Sequence, residues 1–159
     1  MKLTTSVLWL VFTYPAAFTL FAAPLPDCIN AVQTAAEAYK QQQNKTLNDE
    51  KKVVQLLKTL NHDEVLPPDY VTTQQATQMG WSGKDQDSLW GVWALNKKMI
   101  GGDRFTGKVP YQAGRWYSAD LESVRGIRSS KRLVYSTESA SRYLTTGEYK
   151  NFTEIVPCQ

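Results

Sequence analysis

The chain has 159 residues, of which 42% are hydrophobic and 11% aromatic, and its formal net charge is +3. These values suit one soluble domain and exclude a chain too short or too polar to bury a core. The mild positive charge permits an anionic partner without requiring one. With a single histidine and no CxxC pair, the sequence offers no metal site, and we expect no cofactor.

Residues 1–23 have the pattern of a secretory signal peptide. Two apolar runs, 7–12 and 16–21, precede the small residues Ala22 and Ala23, where cleavage is expected. The alternative is an uncleaved membrane anchor, but Pro15 interrupts the ~20 apolar residues that a spanning helix needs. We therefore expect a secreted or periplasmic protein that has no membrane segment once the signal is cleaved.

Two cysteines, Cys28 and Cys158, lie near the two ends of the exported chain. Disulfides persist in exported proteins, so we expect these two to be bridged, with two free thiols as the alternative. A bridge would tie the N-terminal segment to the end of the domain and contribute about 2–4 kcal/mol of stability.

The first part of the chain predicts helices. Residues 24–47 read as a helical extension, in which 28–43 form a helix with apolar side chains at the helical period, namely Ile29, Val32, Ala36 and Tyr39. Asn48 is the predicted N-cap of a second amphipathic helix, which follows at 50–61. Both helices precede Pro67 and Pro68, which force a break.

The rest of the chain predicts a short helix and then strands. Thr72 and Gln75 match a capping box for a helix over 73–79, which Gly80 ends, and 85–94 predicts a further helix. Short β-rich runs separated by turn residues follow at 116–121, 132–136, 143–146 and 152–156. Helices followed by strands predict an α+β fold, with N-terminal helices packed on one side of a C-terminal antiparallel sheet.

Five sequence blocks follow one another in the second half of the chain, at 66–72, 100–105, 114–121, 126–136 and 145–155. In content and order they resemble the barnase-like family of microbial, guanyl-preferring ribonucleases. The resemblance implies a family domain over 48–159 and the α+β fold described above. Residues 28–43 have no counterpart in the family pattern.

The family cleaves RNA without a metal, through attack of the ribose 2′-hydroxyl on the adjacent phosphorus. A glutamate base and a histidine acid transfer the protons, while a lysine and two arginines stabilise the phosphoryl charge. The resemblance places the two arginines at Arg128 and Arg132. We expect both to line a cleft that accepts a phosphate.

The other three catalytic positions of the family are substituted. Thr73 stands at the lysine position, Ser118 at the glutamate position and Glu148 at the histidine position. A serine hydroxyl cannot act as a base at neutral pH, and a carboxyl group near two arginines should be ionised and therefore a poor acid. Glu148 is thus either a base in a rearranged site or a salt-bridge partner of Arg128 and Arg132.

Two further residues are assigned to substrate binding. Tyr149 matches the aromatic residue beside the family's histidine and is expected to stack on a base or ribose. Lys108 lies in a loop that is shorter than the family's guanine-recognition loop, so guanine preference does not carry over. His62 is expected on the exposed end of the second helix, outside the site.

The leading hypothesis is a secreted, barnase-like endoribonuclease homologue that has lost most of its activity but still binds RNA or a nucleotide. One alternative is an active endoribonuclease that uses Glu148 as its base. The other is an exported, non-enzymatic module whose partner is a protein, such as a ribonuclease inhibitor. We expect a monomer.

Overall fold

The computed structural model describes residues 22–111 and 113–159. The predicted signal peptide therefore lies almost wholly outside the described residues. Within them lie three α-helices and a six-stranded sheet, whose first strand precedes the third helix. No helix in this described part is long and apolar enough to cross a membrane.

Helix α1 spans Cys28–Gln43, as the sequence predicts. It begins after Asp27, whose side chain accepts a hydrogen bond from the Ile29 N–H, and it ends at Asn44 in the left-handed conformation. Its buried side chains recur every three or four residues and form one stripe against the sheet, made of Cys28, Ala31, Val32, Ala35, Ala36 and Tyr39.

Helix α2 spans Glu50–Asp63, and its N-cap is Asp49 rather than the predicted Asn48. Asn48 has another role, because its backbone N–H and its side-chain amide both donate to the carboxylate of Glu122, at 2.6 and 3.1 Å. Asp49 is then free to accept from the Lys52 N–H and cap the helix. His62 lies in the last turn, exposed as expected.

Helix α3 spans Thr73–Gln78 and begins with the predicted capping box between Thr72 and Gln75. The predicted helix over 85–94 is wrong, because the structure has two short 3-10 turns there, Leu89–Gly91 and Trp93–Leu95. Ser88 caps the first of these turns, and Val92 is extended, which separates it from the second.

The sheet contains strands β1 to β6 in sequence order. The predicted β-rich runs correspond to β3 to β6, and every pair from β2 to β6 is antiparallel. Two N-terminal strands were not predicted as strands, and they pair with each other in parallel. The strands are β1 Tyr70–Val71, β2 Met99–Phe105, β3 Trp116–Asp120, β4 Lys131–Ser136, β5 Arg142–Thr146 and β6 Phe152–Ile155.

One face of the sheet packs against α1 and α2 and forms the main core. Tyr117 and Ala119 of β3 contact this core, whereas Trp116 of the same strand lies in a second cluster. Because side chains alternate along a strand, Ser118 and Asp120 share the face opposite the helices. The predicted α+β fold, with helices on one side of the sheet, is confirmed.

The predicted disulfide between Cys28 and Cys158 is present. It fixes the first turn of α1 to the segment that follows β6. Beside it, the Cys28 N–H donates to the Gln159 carbonyl and the Gln159 N–H donates to the Pro26 carbonyl, at 3.1 and 3.0 Å. Helix α1 is therefore covalently attached to the segment that follows the last strand of the sheet.

Candidate functional site

A buried carboxylate, Asp120, holds the two arginines that the family pattern singles out. Arg128 donates two hydrogen bonds to it, from Nε to Oδ2 at 2.6 Å and from Nη2 to Oδ1 at 2.8 Å. Nε of Arg132 lies 3.1 Å from Asp120 Oδ1. This contact is an ion pair, but its angle does not allow a hydrogen bond. Asp120 is 1% exposed, so these three residues form a largely desolvated charge cluster.

The register of the sheet creates this cluster. Asp120, at the end of β3, stands directly opposite Arg132 of β4. Arg132 also donates from Nη1 to the carbonyl oxygens of Ser129 and Lys131, which fixes its guanidinium against the turn that carries Arg128. Backbone pairing therefore positions Arg132 beside Asp120, and the hydrogen bonds of Asp120 hold Arg128 at the same end of the sheet.

Arg128 has a second carboxylate partner, Asp85, from the segment between α3 and β2. Its Nη1 donates to Asp85 Oδ1 at 2.7 Å. Unlike the buried Asp120, the Asp85 side chain is 66% exposed. Burial lowers the pKa of Arg128, but its hydrogen bonds to Asp120 and the charges of Asp120 and Asp85 outweigh this and raise the pKa above its usual value.

An open groove of about 700 Å³ contains these arginines, and we call it the arginine groove. It lies at the end of the sheet, between the C-terminal end of α1 and the turns before β4 and after β5. Its lining is mostly polar and consists of residues 41–45, Asp85, Arg128, Ser129, Ser130, Arg132, Thr146, Gly147, Glu148, Lys150 and Asn151.

Glu148 lines the arginine groove but does not pair with the arginines. Its carboxylate lies 2.8 Å from Lys150 Nζ and its side chain is 70% exposed. The interpretation of Glu148 as the salt-bridge partner of Arg128 and Arg132 is therefore wrong, because Asp120 has that role. The hydrogen bond from Lys150 holds the pKa of Glu148 below its usual value, with smaller effects from the charges of Lys150 and Lys45. At neutral pH Glu148 is ionised and cannot donate a proton.

Thr73, at the family's lysine position, makes a close contact with Asp103 of β2. Its backbone N–H lies 3.0 and 3.1 Å from the two carboxylate oxygens, and its Oγ1 donates to Oδ2 at 2.6 Å. Among the described residues, no cation lies within ion-pair distance of Asp103. Asp103 therefore anchors the first residue of α3 to β2 through hydrogen bonds, and no ion pair balances its carboxylate in the described part of the chain.

Ser118, at the family's base position, is half-buried in the middle of β3. It stands opposite Asp103 of β2 and Val134 of β4. Neither Ser118 nor Thr73 lines the arginine groove. The structure thus brings Arg128, Arg132 and Glu148 together and leaves Thr73 and Ser118 on the adjoining part of the sheet face.

The two residues assigned to substrate binding lie apart from the groove lining. Tyr149, in a left-handed conformation after Glu148, packs its ring against Phe105 with centroids 4.8 Å apart. It is half-buried in the cluster that contains Trp116. Lys108 is exposed in the loop after β2.

His62, the single histidine of the chain, lies outside the arginine groove. His62 is 89% exposed, hydrogen-bonds to Asp63, and lines a different cavity, next to Arg142. Within residues 22–111 and 113–159, no group of three or more histidine, cysteine, aspartate or glutamate side chains is arranged to hold a metal ion.

Sequence reasoning missed three residues of this site, namely Asp120, Asp85 and Lys45. The sequence could have indicated Asp120 as a site residue, because it follows Ser118 by two positions and shares its face of β3. No local sequence pattern indicates Asp85 or Lys45, because these residues reach the groove from segments that are remote in sequence from the arginines.

Comparison with known proteins agrees with the sequence pattern. The chain is 40% identical over 94 residues to proteins named "Ribonuclease" from Bacillus intermedius and Bacillus pumilus, a match that covers 57% of this chain and 56% of each relative. It is 39% identical over 94 residues to "Ribonuclease" from Heyndrickxia coagulans, of which it covers 83%. The chain thus spans a little over half the length of the two Bacillus relatives. No family model matches it. On these identities, and on the α+β fold that carries them, the chain belongs to the barnase-like family of microbial ribonucleases.

Proposed function

We propose that this chain is an exported ribonuclease-family protein that binds RNA or nucleotide phosphates in the arginine groove but cleaves RNA very slowly or not at all. One observation carries the proposal. Asp120 holds Arg128 and Arg132 at the groove, whereas Glu148, at the position of the family's proton donor, is ionised and paired with Lys150.

The charge cluster supports phosphate binding. Guanidinium groups recognise phosphate through paired N–H donors, and Asp120 fixes the orientation of both without exposing its own carboxylate. Asp85 is a different kind of partner, since a mostly exposed ion pair is weak and can be displaced by an incoming phosphate.

The three substitutions support the loss of cleavage. A general base and a general acid each contribute about 10²–10⁴-fold to the rate, and neither a serine nor an ionised glutamate replaces its family counterpart. Thr73 also brings no positive charge to the phosphate, and it leaves Asp103 unneutralised. We therefore expect turnover at least 10⁴-fold below that of an active family member.

The test uses the oxidised exported chain with a fluorescein-labelled, guanosine-containing 12-mer RNA. We expect binding that weakens as salt rises, and a large loss of affinity in Arg128→Gln. Arg115→Gln is the matched control, because Arg115 is an exposed arginine that pairs with Glu138 away from the groove. Binding without measurable product would support the proposal.

Two outcomes would contradict it. Turnover at a rate normal for the family, abolished by Glu148→Gln, would instead make Glu148 the base of an active rearranged site. No RNA affinity even at low salt would favour an exported module that binds a protein, because phosphate contacts must give a salt-dependent affinity.

A further inference from the structure

The C-terminal end of α1 forms a wall of the arginine groove, although this helix precedes every block of the family pattern. Residues 41–45 line the groove on the side opposite the turns that carry Arg128 and Glu148. The helix that looks like an addition in the sequence is therefore part of the candidate site.

A disulfide and hydrogen bonds hold this wall in place. The disulfide holds the first residue of α1, and in the last turns the Tyr39 hydroxyl donates to the Thr145 carbonyl at 2.9 Å. At the end of the helix, Gln43 Nε2 donates to Thr153 Oγ1 at 3.1 Å, and Thr153 Oγ1 donates to Gln42 Oε1 at 2.8 Å. These contacts leave the helix end little freedom to move relative to β5 and β6.

Lys45 is the groove cation that has no carboxylate partner among the described residues. Arg128 and Arg132 pair with Asp120, and Lys150 pairs with Glu148. Lys45 is half-buried and lines the groove, near enough to Glu148 for its charge to contribute to lowering the pKa of that carboxylate. An incoming phosphate would not have to displace a carboxylate to reach Lys45.

The helix backbone itself cannot attract an anion here. A helix C-terminus carries the negative end of the macrodipole, so the last carbonyls of α1 disfavour a phosphate at the groove. Any attraction on this wall has to come from side chains, and Lys45, which follows the left-handed Asn44 after the helix end, is the residue that supplies positive charge.

We propose that Lys45 binds a second phosphate of an RNA strand whose neighbouring phosphate is held by Arg128 and Arg132. This inference rests on the proposed RNA-binding function and goes beyond it, because it makes α1 an RNA-binding element and requires a ligand with at least two phosphates. A single-strand ligand then spans the groove from the sheet turns to the helix end.

The experiment measures the salt dependence of binding for a 12-mer RNA that carries 2′-O-methyl groups throughout, so that no cleavage interferes. In Lys45→Gln we expect affinity at low salt to fall about fivefold and the slope of log K against log salt to decrease by about 0.7, the value for one phosphate contact on a single strand. The matched control is Lys51→Gln, which removes an exposed lysine outside the groove. A nucleoside monophosphate should bind Lys45→Gln as well as it binds the parent.

The outcomes separate the two proposals. If the parent binds and Arg128→Gln does not, but Lys45→Gln keeps the parent affinity and slope, the role of Lys45 is refuted and the proposed function stands. If the parent has no affinity at low salt, the proposed function fails, and the role of Lys45 fails with it. Thermal melts of Lys45→Gln should match the parent, since this surface side chain makes no ion pair in the described structure.

Discussion

The sheet face opposite the helices has two halves with different chemistry. In one half, Asp120, Arg128 and Arg132 form a buried network that links β3 to β4 and to the turn between them. In the other half, Thr73 and Ser118 are small neutral residues beside Asp103. We call the first the paired half and the second the substituted half.

The difference bears on which of these positions can change without a loss of stability. The paired half has a structural role, because removal of one partner leaves a desolvated charge without compensation. In the substituted half, Thr73 and Ser118 are neutral, so replacing either leaves no buried charge without its partner. We therefore expect substitutions at Thr73 and Ser118 to cost less stability than the loss of one partner in the paired half.

Restoring the family residues is the strongest test of this comparison. The triple substitution Thr73→Lys, Ser118→Glu and Glu148→His should raise the rate of RNA cleavage by about 10⁴-fold or more, because it supplies a base, an acid and a cation next to an intact arginine pair. The measurement is initial rates on a guanosine-containing RNA.

The control for this triple variant is the same protein with Arg128→Gln added, which should lose most of the gained activity. A rate within tenfold of the parent would mean that the paired half does not hold a phosphate where the restored groups can act on it. That result would contradict the distinction between an intact paired half and a substituted half.

Asp120→Asn should cause the largest loss of stability. It keeps the shape of the side chain but leaves Arg128 and Arg132 without their shared buried charge, so we expect the free energy of unfolding to fall by about 3–5 kcal/mol. Urea unfolding measures this change. Asp85→Asn is the matched control on the same arginine, and because Asp85 is mostly exposed it should cost less than about 1 kcal/mol.

Equal losses in these two variants would show that burial does not distinguish the carboxylates of the paired half. If only Asp120→Asn lowers the free energy of unfolding, Asp120 is the carboxylate that stabilises the fold, and Asp85 is the one that a phosphate can displace.

The smallest expected effect is that of Asp85→Asn on RNA affinity. We expect this variant to bind RNA more tightly than the parent does. Removing an exposed carboxylate 2.7 Å from Arg128 Nη1 frees that donor and removes a repulsion of about 1 kcal/mol, which corresponds to roughly fivefold tighter binding. Fluorescence anisotropy at low salt measures it. Asp87→Asn is the control, since Asp87 bonds to Ser82 outside the groove. Weaker binding in Asp85→Asn would contradict the view that Asp85 competes with phosphate.

The elements that the sequence predicted well are those with local signals. The capping box at Thr72 and Gln75 and the buried stripe of α1 depend on neighbours within four residues. Strand β2 was missed because Gly101 and Gly102 weaken a strand pattern. The structure explains Gly101, since a Cβ there would lie 2.5 Å from the Tyr70 ring.

The candidate site was predicted only in part, for a related reason. The family pattern located Arg128, Arg132 and Glu148, and all three line the groove. Which carboxylate pairs with which cation depends on strand register and on contacts between remote segments. Asp85, for example, reaches Arg128 across 43 positions, and composition and periodicity carry no information about such a contact.

The Cys28–Cys158 link turns the backbone between these residues into a covalent ring. A protease that cut once at an exposed turn within it, such as the one at Glu64, would leave a single covalent molecule that runs as one band on a gel without reductant. The two walls of the groove, one from α1 and one from the β4–β6 region, would stay tethered after such a cut, and only reduction would release them as separate fragments.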